Sequence, residues 1–262
     1  MQKLIILFSM AMLLNPLGLL NNDPSTPVRV EQVPPGLACN CFCADCGGKF
    51  IAVQPNNNRQ WHFRHYKRPA NCGNSFESAV HLMAKKELLQ NKCLMLPDLT
   101  VRPSRDLCQP GTRITQKERI VKRQLMNFDH VKEEVGMGER RPDIVMWKGD
   151  RKLLVEIVVA NDLTEEKVQW IRQNDYATVR VDLSWVGYDV NPTLLLQCLR
   201  TGHTINVYPE FNIVSWIHNP LIASAQSRVN KEYLQSIQAS SVVQPELEPE
   251  ECPTRTQQHF QF

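Results

Sequence analysis

The strongest apolar pattern lies in the middle of the chain. Ile144-Val145-Met146-Trp147 and Leu153 to Val159 are two apolar runs flanking Lys148-Gly149-Asp150-Arg151, a turn-forming segment. Such a pair reads as an antiparallel β-hairpin. Ahead of it, Val80, Met83, Leu88 and Leu89 recur on one side of a helix, which predicts a helix over Ser75 to Asn91 with Asn74 or Ser75 as its N-cap. A second helix is expected around Gln116 to Met126. After the hairpin, Asp162 with Glu165 three residues on reads as a helix start, and Leu163, Val168 and Ile171 line that helix. Ala177 to Leu183 predicts a strand and Leu194 to Leu199 a short helix, followed by strand-like pieces at Thr204 to Tyr208 and Phe211 to Trp216. Strands that alternate with helices in this way imply an α/β sheet.

Around this centre the pattern weakens. Residues 1–38 form an irregular lead-in, with room for an early strand between Ala11 and Leu20. Residues 39–75 are dense in Cys, His, Gly and Asn, with few apolar side chains. The α/β domain is expected over 76–220, and 221–262 as a polar, disordered tail, Gln-, Glu- and Pro-rich from Gln238. The apolar stretch from Leu4 to Leu14 loosely imitates a secretory signal. Asn15 and Pro16 interrupt it, and no small-x-small cleavage site follows at a suitable distance. It is also too short to span a bilayer, so no membrane association is expected.

Composition is that of an ordinary globular protein, and the net charge of +3 by itself names no partner. Its distribution says more. Between Arg59 and Arg151 there are 19 Lys or Arg against 11 Asp or Glu, a local excess of eight that would attract a polyanion. The nine cysteines are odd in number and four crowd into Cys39, Cys41, Cys43 and Cys46, which argues against a disulfide framework. Clustered Cys with nearby His points to metal binding in a reducing compartment, hence the cytoplasm.

Cys43-Ala-Asp-Cys46-Gly-Gly has the spacing of a zinc knuckle: two thiolates two residues apart reach one ion, and the glycines turn backbone N–H groups towards sulfur. A tetrahedron needs two more ligands, and His65 and Cys72 supply them. His62 competes for the third place, and Cys39 or Cys41 for a knuckle place. Four protein ligands leave no open position, so the expected Zn²⁺ is structural.

The hairpin carries a second constellation. If Lys148 pairs with Arg151, or Trp147 with Lys152, partner residue numbers add to 299, and so do Asp143 and Glu156. The two carboxylates would face each other across the ladder with Cβ atoms roughly 4.5–5.5 Å apart. So close a pair repels unless a cation or a shared proton intervenes, and a hard divalent ion, Mg²⁺ or Mn²⁺, suits it. Glu156 is the unusual residue, set among the flanks of a buried strand; the alternatives are a place on an edge strand or neutralisation by Arg140 or Arg141.

Arg141-Pro142-Asp143-Ile144, with Glu156-Ile157-Val158 thirteen residues after the Asp, resembles the Pro-Asp…(Asp/Glu)-x-Lys signature of restriction-endonuclease-like, or PD-(D/E)XK, nucleases. The order of motifs further resembles the competence protein CoiA-like family. Cys43-Ala-Asp-Cys46, His62-Phe-Arg-His65, Glu77-Ser-Ala-Val-His81-Leu-Met-Ala-Lys85 and the hairpin follow one another within roughly residues 40–220. The resemblance implies a restriction-endonuclease-like mixed sheet flanked by helices behind a zinc-ribbon-like module. It also implies a Mg²⁺- or Mn²⁺-dependent deoxyribonuclease of competence, recombination or defence, acting on single- or double-stranded DNA.

In that reading Asp143 and Glu156 hold the metal, Glu77 assists, and His81, Lys85, Arg140 and Arg141 meet phosphate. Glu77, His81 and Lys85 fall at i, i+4 and i+8, one stripe of the helix. The sequence departs from the signature at Val158, where a lysine belongs. Lys167, on the next helix, is the expected substitute, with Lys152 and Lys85 as further options. Val158 equally favours a catalytically inactive DNA-binding or scaffold protein on the same fold. A zinc-containing protein-interaction module is a third reading, and a homodimer is left open.

Overall fold

The computed structural model describes residues 14–67, 69, 72–108, 114–205, 207 and 209–241. The first strands are β1 (Leu17–Leu20), β2 (Pro27–Arg29), β3 (Cys41–Phe42), β4 (Phe50–Val53) and β5 (His62–His65), followed by helix α1 (Ser75–Asn91). Short strands β6 (Cys93–Leu96), β7 (Leu99–Val101), β8 (Glu118–Val121), β9 (Gln124–Asn127) and β10 (His130–Glu133) come next. The hairpin is β11 (Ile144–Lys148) and β12 (Arg151–Val158), then α2 (Glu165–Gln173), β13 (Thr178–Asp182), α3 (Pro192–Thr201), β14 (Val214–His218) and α4 (Leu221–Ser241). Among the described residues no helix is long and apolar enough to cross a membrane.

The chain divides into two compact units, Met1–Leu99 with Arg119–Ile222, and Thr100–Glu118 with Ala223–Phe262. The first is mixed α/β. Its central sheet has the order β10-β11-β12-β13-β14, antiparallel except for the parallel pair β12 and β13. That parallel step needs a crossover, and α2 provides it. Leu153 to Val158 of β12 are all buried, as a central strand covered on both faces requires. One face, with Ile144, Met146, Val155, Ile157, Val179 and Val181, belongs to the main core, where Val80, Met83 and Leu88 of α1 and Leu195 and Leu199 of α3 also lie. Residues of opposite parity, Glu156 and Val158 among them, point the other way.

The hairpin register is the one the arithmetic gave: Lys148 pairs with Arg151 and Ile144 with Val155. The turn is Gly149-Asp150, with Gly149 at φ +56, a conformation glycine adopts without steric cost. Other expectations need correction. Gln116 to Met126 is not a helix but parts of β8 and β9, because Leu125 and Met126 find cross-strand partners in Met95 and Leu94 of β6. Contacts supplied from thirty residues away override local helical preference. The N-cap of α2 is Thr164, not Asp162; its Oγ1 accepts from the Lys167 N–H at 3.4 Å, while Asp162 pairs with Arg180. The strand expected at Phe211 to Trp216 lies at Val214–His218. Of that expected at Thr204 to Tyr208, residues 206 and 208 lie outside the described residues, and the neighbouring His203 makes only an isolated bridge to Asn212.

The lead-in is also more ordered than composition suggested. β1 pairs with β2 on one side and with β3 on the other, so no boundary falls between residues 38 and 39. The stretch 1–13, which holds most of the apolar N-terminus, lies outside the described residues.

The second unit corrects the expectation of a polar, disordered tail from 221. Leu221–Ser241 is a helix, with Ala225, Val229 and Tyr233 buried at four-residue intervals on one stripe. Within that unit Asn230 accepts from the Ser104 N–H at 2.9 Å, and Arg228 makes a two-pronged pair with Glu118. Residues 242–262, part of the expected disordered tail, lie outside the described residues.

Candidate functional sites: a metal-ligand cluster and a carboxylate cavity

Cys43, Cys46, His65 and Cys72 bring their ligand atoms within 4.8 Å of one another, so this group can hold a metal ion such as zinc. Cys43 Sγ lies 3.5 Å from Cys72 Sγ, and Cys46 Sγ 3.3 Å from His65 Nε2. The local fold follows from the knuckle spacing. The Asp45 N–H donates to Cys43 Sγ at 3.3 Å and the Gly48 N–H to Cys46 Sγ at 3.4 Å. Gly47 sits at φ +66, and a Cβ on Gly48 would stand 3.2 Å from both Cys46 Sγ and His65 Cδ2. Both glycines therefore serve the turn around the sulfurs.

His65 is set by the β4–β5 ladder opposite Phe50, whose ring meets the imidazole edge-on at 4.9 Å. Burial holds the His65 imidazole below its usual value, which favours the neutral form a metal needs. The competitors are placed elsewhere. His62 Nδ1 faces the Gln60 carbonyl at 3.1 Å, and Cys39 and Cys41 are buried thiols in a small core with Val30, Phe50, Ala52 and Phe63. None of the described cysteines forms a disulfide. Asp45 joins the cluster to α1: its Oδ2 accepts from Cys72 Sγ at 3.2 Å and from the Asn74 N–H at 3.4 Å. Asn74 occupies the cap position, but its own side chain makes no capping bond.

The second site lies at the end of the hairpin. A cavity of about 280 Å³ is lined by His81, Asp143, Glu156, Val158, Thr164 and Lys167, among others. Asp143 directly precedes β11, opposite Glu156 in the continued register. Its Oδ2 accepts from the Ile157 N–H at 2.8 Å and lies 3.1 Å from His81 Nε2. Burial works to raise the Asp143 carboxyl, but the hydrogen bond and charge of His81, the Ile157 N–H and Lys167 together hold it below the usual range.

Glu156, only 1 % exposed, meets Lys167 Nζ at 2.5 Å through Oε2, while its Oε1 is buried without a hydrogen-bond partner. Burial pushes its carboxyl up to about 7, with the Asp143 charge adding and Lys167 opposing. Glu156 Oε1 is thus a buried acceptor left open beside a second carboxylate, whereas Asp143 already has its partners.

The three lysine options separate clearly. Lys167 reaches Glu156 from the first turn of α2. Lys152 is exposed near the turn end of the hairpin, and Lys85, 4 % exposed, is buried against Glu134 at 2.8 Å. Lys85 is thus not on the cavity, where a phosphate contact was expected, and Glu77, half-buried one turn before His81, does not line it either. Arg141 is exposed and Arg140 half-buried, and neither neutralises Glu156. Sequence reasoning missed Asp162 and Thr164, which line the cavity; Arg180, paired with Asp162 and Asp182, lies beside Glu156 in the β12–β13 register. The run Thr164-Glu-Glu-Lys167 carried a capping signal that could have found Thr164. No protein-family model, curated protein or solved structure matches the chain.

Proposed function

We propose that the chain is a divalent-metal-dependent nuclease that hydrolyses phosphodiester bonds in DNA. The observation that carries this reading is the convergence of Asp143, Glu156 and Lys167 on one open cavity. Asp143 and Glu156 would hold Mg²⁺ or Mn²⁺, using the orphaned Oε1 of Glu156. Bound there, such an ion supplies Lewis acidity and lowers the pKa of an attacking water. Asp143 stays ionised because His81 and the Ile157 N–H favour its charged form. Lys167, anchored on Glu156, takes the part that the resembled signature gives to a lysine at Val158: it meets the scissile phosphate and offsets its developing charge. Arg140 and Arg141, immediately before Pro142-Asp143, suit approach by a phosphate backbone. The ordered motifs shared with the CoiA-like family support the same reading. The Cys43–Cys46–His65–Cys72 cluster then carries a structural Zn²⁺, in keeping with a reducing, cytoplasmic setting.

The test is cleavage of single- and double-stranded DNA with added Mg²⁺ or Mn²⁺. Cleavage should require the metal and both carboxylates. Activity that persists in the double variant Asp143→Ala, Glu156→Ala would remove the assignment.

Metal binding should also depend on pH in a defined direction. Below about 7 the Glu156 carboxyl keeps its proton, so an incoming cation must expel it. Mn²⁺ affinity, read by calorimetry, is expected to rise roughly tenfold per pH unit up to that value and then level off. Constant affinity from acid to neutral pH would contradict this. Stability of the metal-free chain moves the opposite way. A carboxyl raised from 4.5 to about 7 binds more protons in the fold, so its contribution falls as pH rises through that window.

A second reading has one observation in its favour. Lys167 already pairs with Glu156, and the third carboxylate lining the cavity, Asp162, is paired with Arg180. A catalytically inactive DNA-binding or scaffold protein would show salt-sensitive DNA binding with no metal-dependent cleavage.

A further inference from the structure

The β4–β5 hairpin has two unlike faces. Phe50, Ala52 and Phe63 point inward to the small core, and His65 turns the same way to the metal-ligand cluster. The opposite face follows from the alternation. Ile51 pairs with Arg64 and Val53 with His62, and the Tyr66 N–H donates to the Lys49 carbonyl at 2.8 Å, which carries the ladder on to Lys49 and Tyr66. Lys49, Arg64 and Tyr66 therefore share the outer face. Lys49 and Arg64 are exposed, and Tyr66 is 53 % exposed. The segment that carries them is basic in sequence. From Gly47 to Phe76 the sequence has five basic residues, Lys49, Arg59, Arg64, Lys67 and Arg68, and no Asp or Glu.

We infer that this outer face is a docking surface for an unpaired nucleic-acid strand, in which Tyr66 stacks on a base and Lys49 and Arg64 meet phosphates. The inference rests on the proposed action on nucleic acid and adds the form of strand and the residues that hold it. Three features favour a single strand. An exposed aromatic ring between cations offers a base a stacking surface and its phosphates neutral partners. A duplex hides the faces of its bases in the stack, so it would use the cations and leave Tyr66 idle. An anionic membrane would call for a larger apolar patch, whereas Ile51 and Val53 on this face are half-buried.

The experiment is fluorescence anisotropy of the full-length, zinc-loaded chain with no added Mg²⁺ or Mn²⁺. The probes are labelled oligo-dT, oligo-U and a mixed-sequence DNA duplex of equal length, with phosphatidylserine vesicles as a further arm. Tyr66→Ala should weaken oligonucleotide binding about tenfold, and Tyr66→Phe should retain it, because stacking needs the ring and not the hydroxyl. The pair Lys49→Ala, Arg64→Ala should flatten the log–log salt dependence by about 1.4, at roughly 0.7 for each lost phosphate contact. The tighter of the dT and U probes identifies the sugar. Oligonucleotide binding unchanged in Tyr66→Ala, an equal loss on the duplex, or Tyr66-dependent binding of the vesicles instead would each overturn the inference. A chain that binds oligo-dT through Tyr66 yet never cuts DNA would refute the nuclease reading alone. One that cuts while Tyr66→Ala binds normally would refute this inference alone.

Discussion

Stripping the zinc proposed for the Cys43–Cys46–His65–Cys72 cluster should melt β3, β4 and β5 while the central sheet stays folded. The reason is the size of the local core. Beside the thiols it buries Val30, Phe50, Ala52 and Phe63, with Leu20, Val28, Val33 and Trp61 only partly buried against them, too little apolar surface to offset the ordering of some thirty-five residues. A structural zinc ion contributes on the order of 10–16 kcal/mol at neutral pH, more than such a core supplies. Without such an ion, the Cys43 and Cys72 sulfurs, 3.5 Å apart, and the Cys46–His65 pair, 3.3 Å apart, would keep only their weak mutual hydrogen bonds. Amide exchange after treatment with a strong zinc chelator should speed up across β3, β4 and β5, and the protection of β11 to β13 should persist. Cys43→Ser should reproduce the effect. Unchanged protection after chelation, or elemental analysis finding no zinc in protein purified under reducing conditions, would refute the structural role. A consequence reaches the other site. Asp45 ties the cluster to the start of α1, and His81 lies seven residues on from Asn74, about 10 Å along that helix. Loss of metal should therefore loosen the His81 contact with Asp143 and reduce any cleavage as well.

In the proposed nuclease, Lys167→Ala should lower metal-dependent cleavage by about a hundredfold, the usual scale for one lost charge-stabilising donor. It should also raise the Glu156 carboxyl further, because the ammonium at 2.5 Å opposes the effect of burial. A deleted lysine that merely held the fold together would give a similar loss, so a second substitution is needed. Val158 lies two residues beyond Glu156 on the same strand face and lines the same cavity. Val158→Lys in the Lys167→Ala background restores an ammonium from the position that the resembled signature uses. Recovery of at least tenfold would show that the cation at that point matters, irrespective of the element that delivers it. Cleavage equal to wild type in Lys167→Ala would exclude its part in the reaction.

Much of both sites was legible before any fold was known, because short spacings carry their own geometry. Cys43-Ala-Asp-Cys46 fixes two ligands by local chain reach, and a two-residue turn at Gly149-Asp150 fixes the register that sets Asp143 against Glu156. Helix α1 also followed from its apolar spacing. Where the sequence misled, the deciding partner lay far along the chain. Gln116 to Met126 has apolar residues that suit a helix, but β6 was there to pair with Leu125 and Met126. The stripe Ala225, Val229 and Tyr233 was readable in principle and was masked by the polar residues between them.

The sequence by itself determined which side chains can act as ligands, because metal-binding and turn spacings are properties of a few consecutive residues. Only the tertiary structure decided where they lie relative to one another. It chose Lys167 over Lys152 and Lys85, turned His81 onto Asp143, and buried Lys85 against Glu134. Those outcomes depend on where whole helices pack on the sheet, and packing is settled by the summed burial of many residues that no local spacing records.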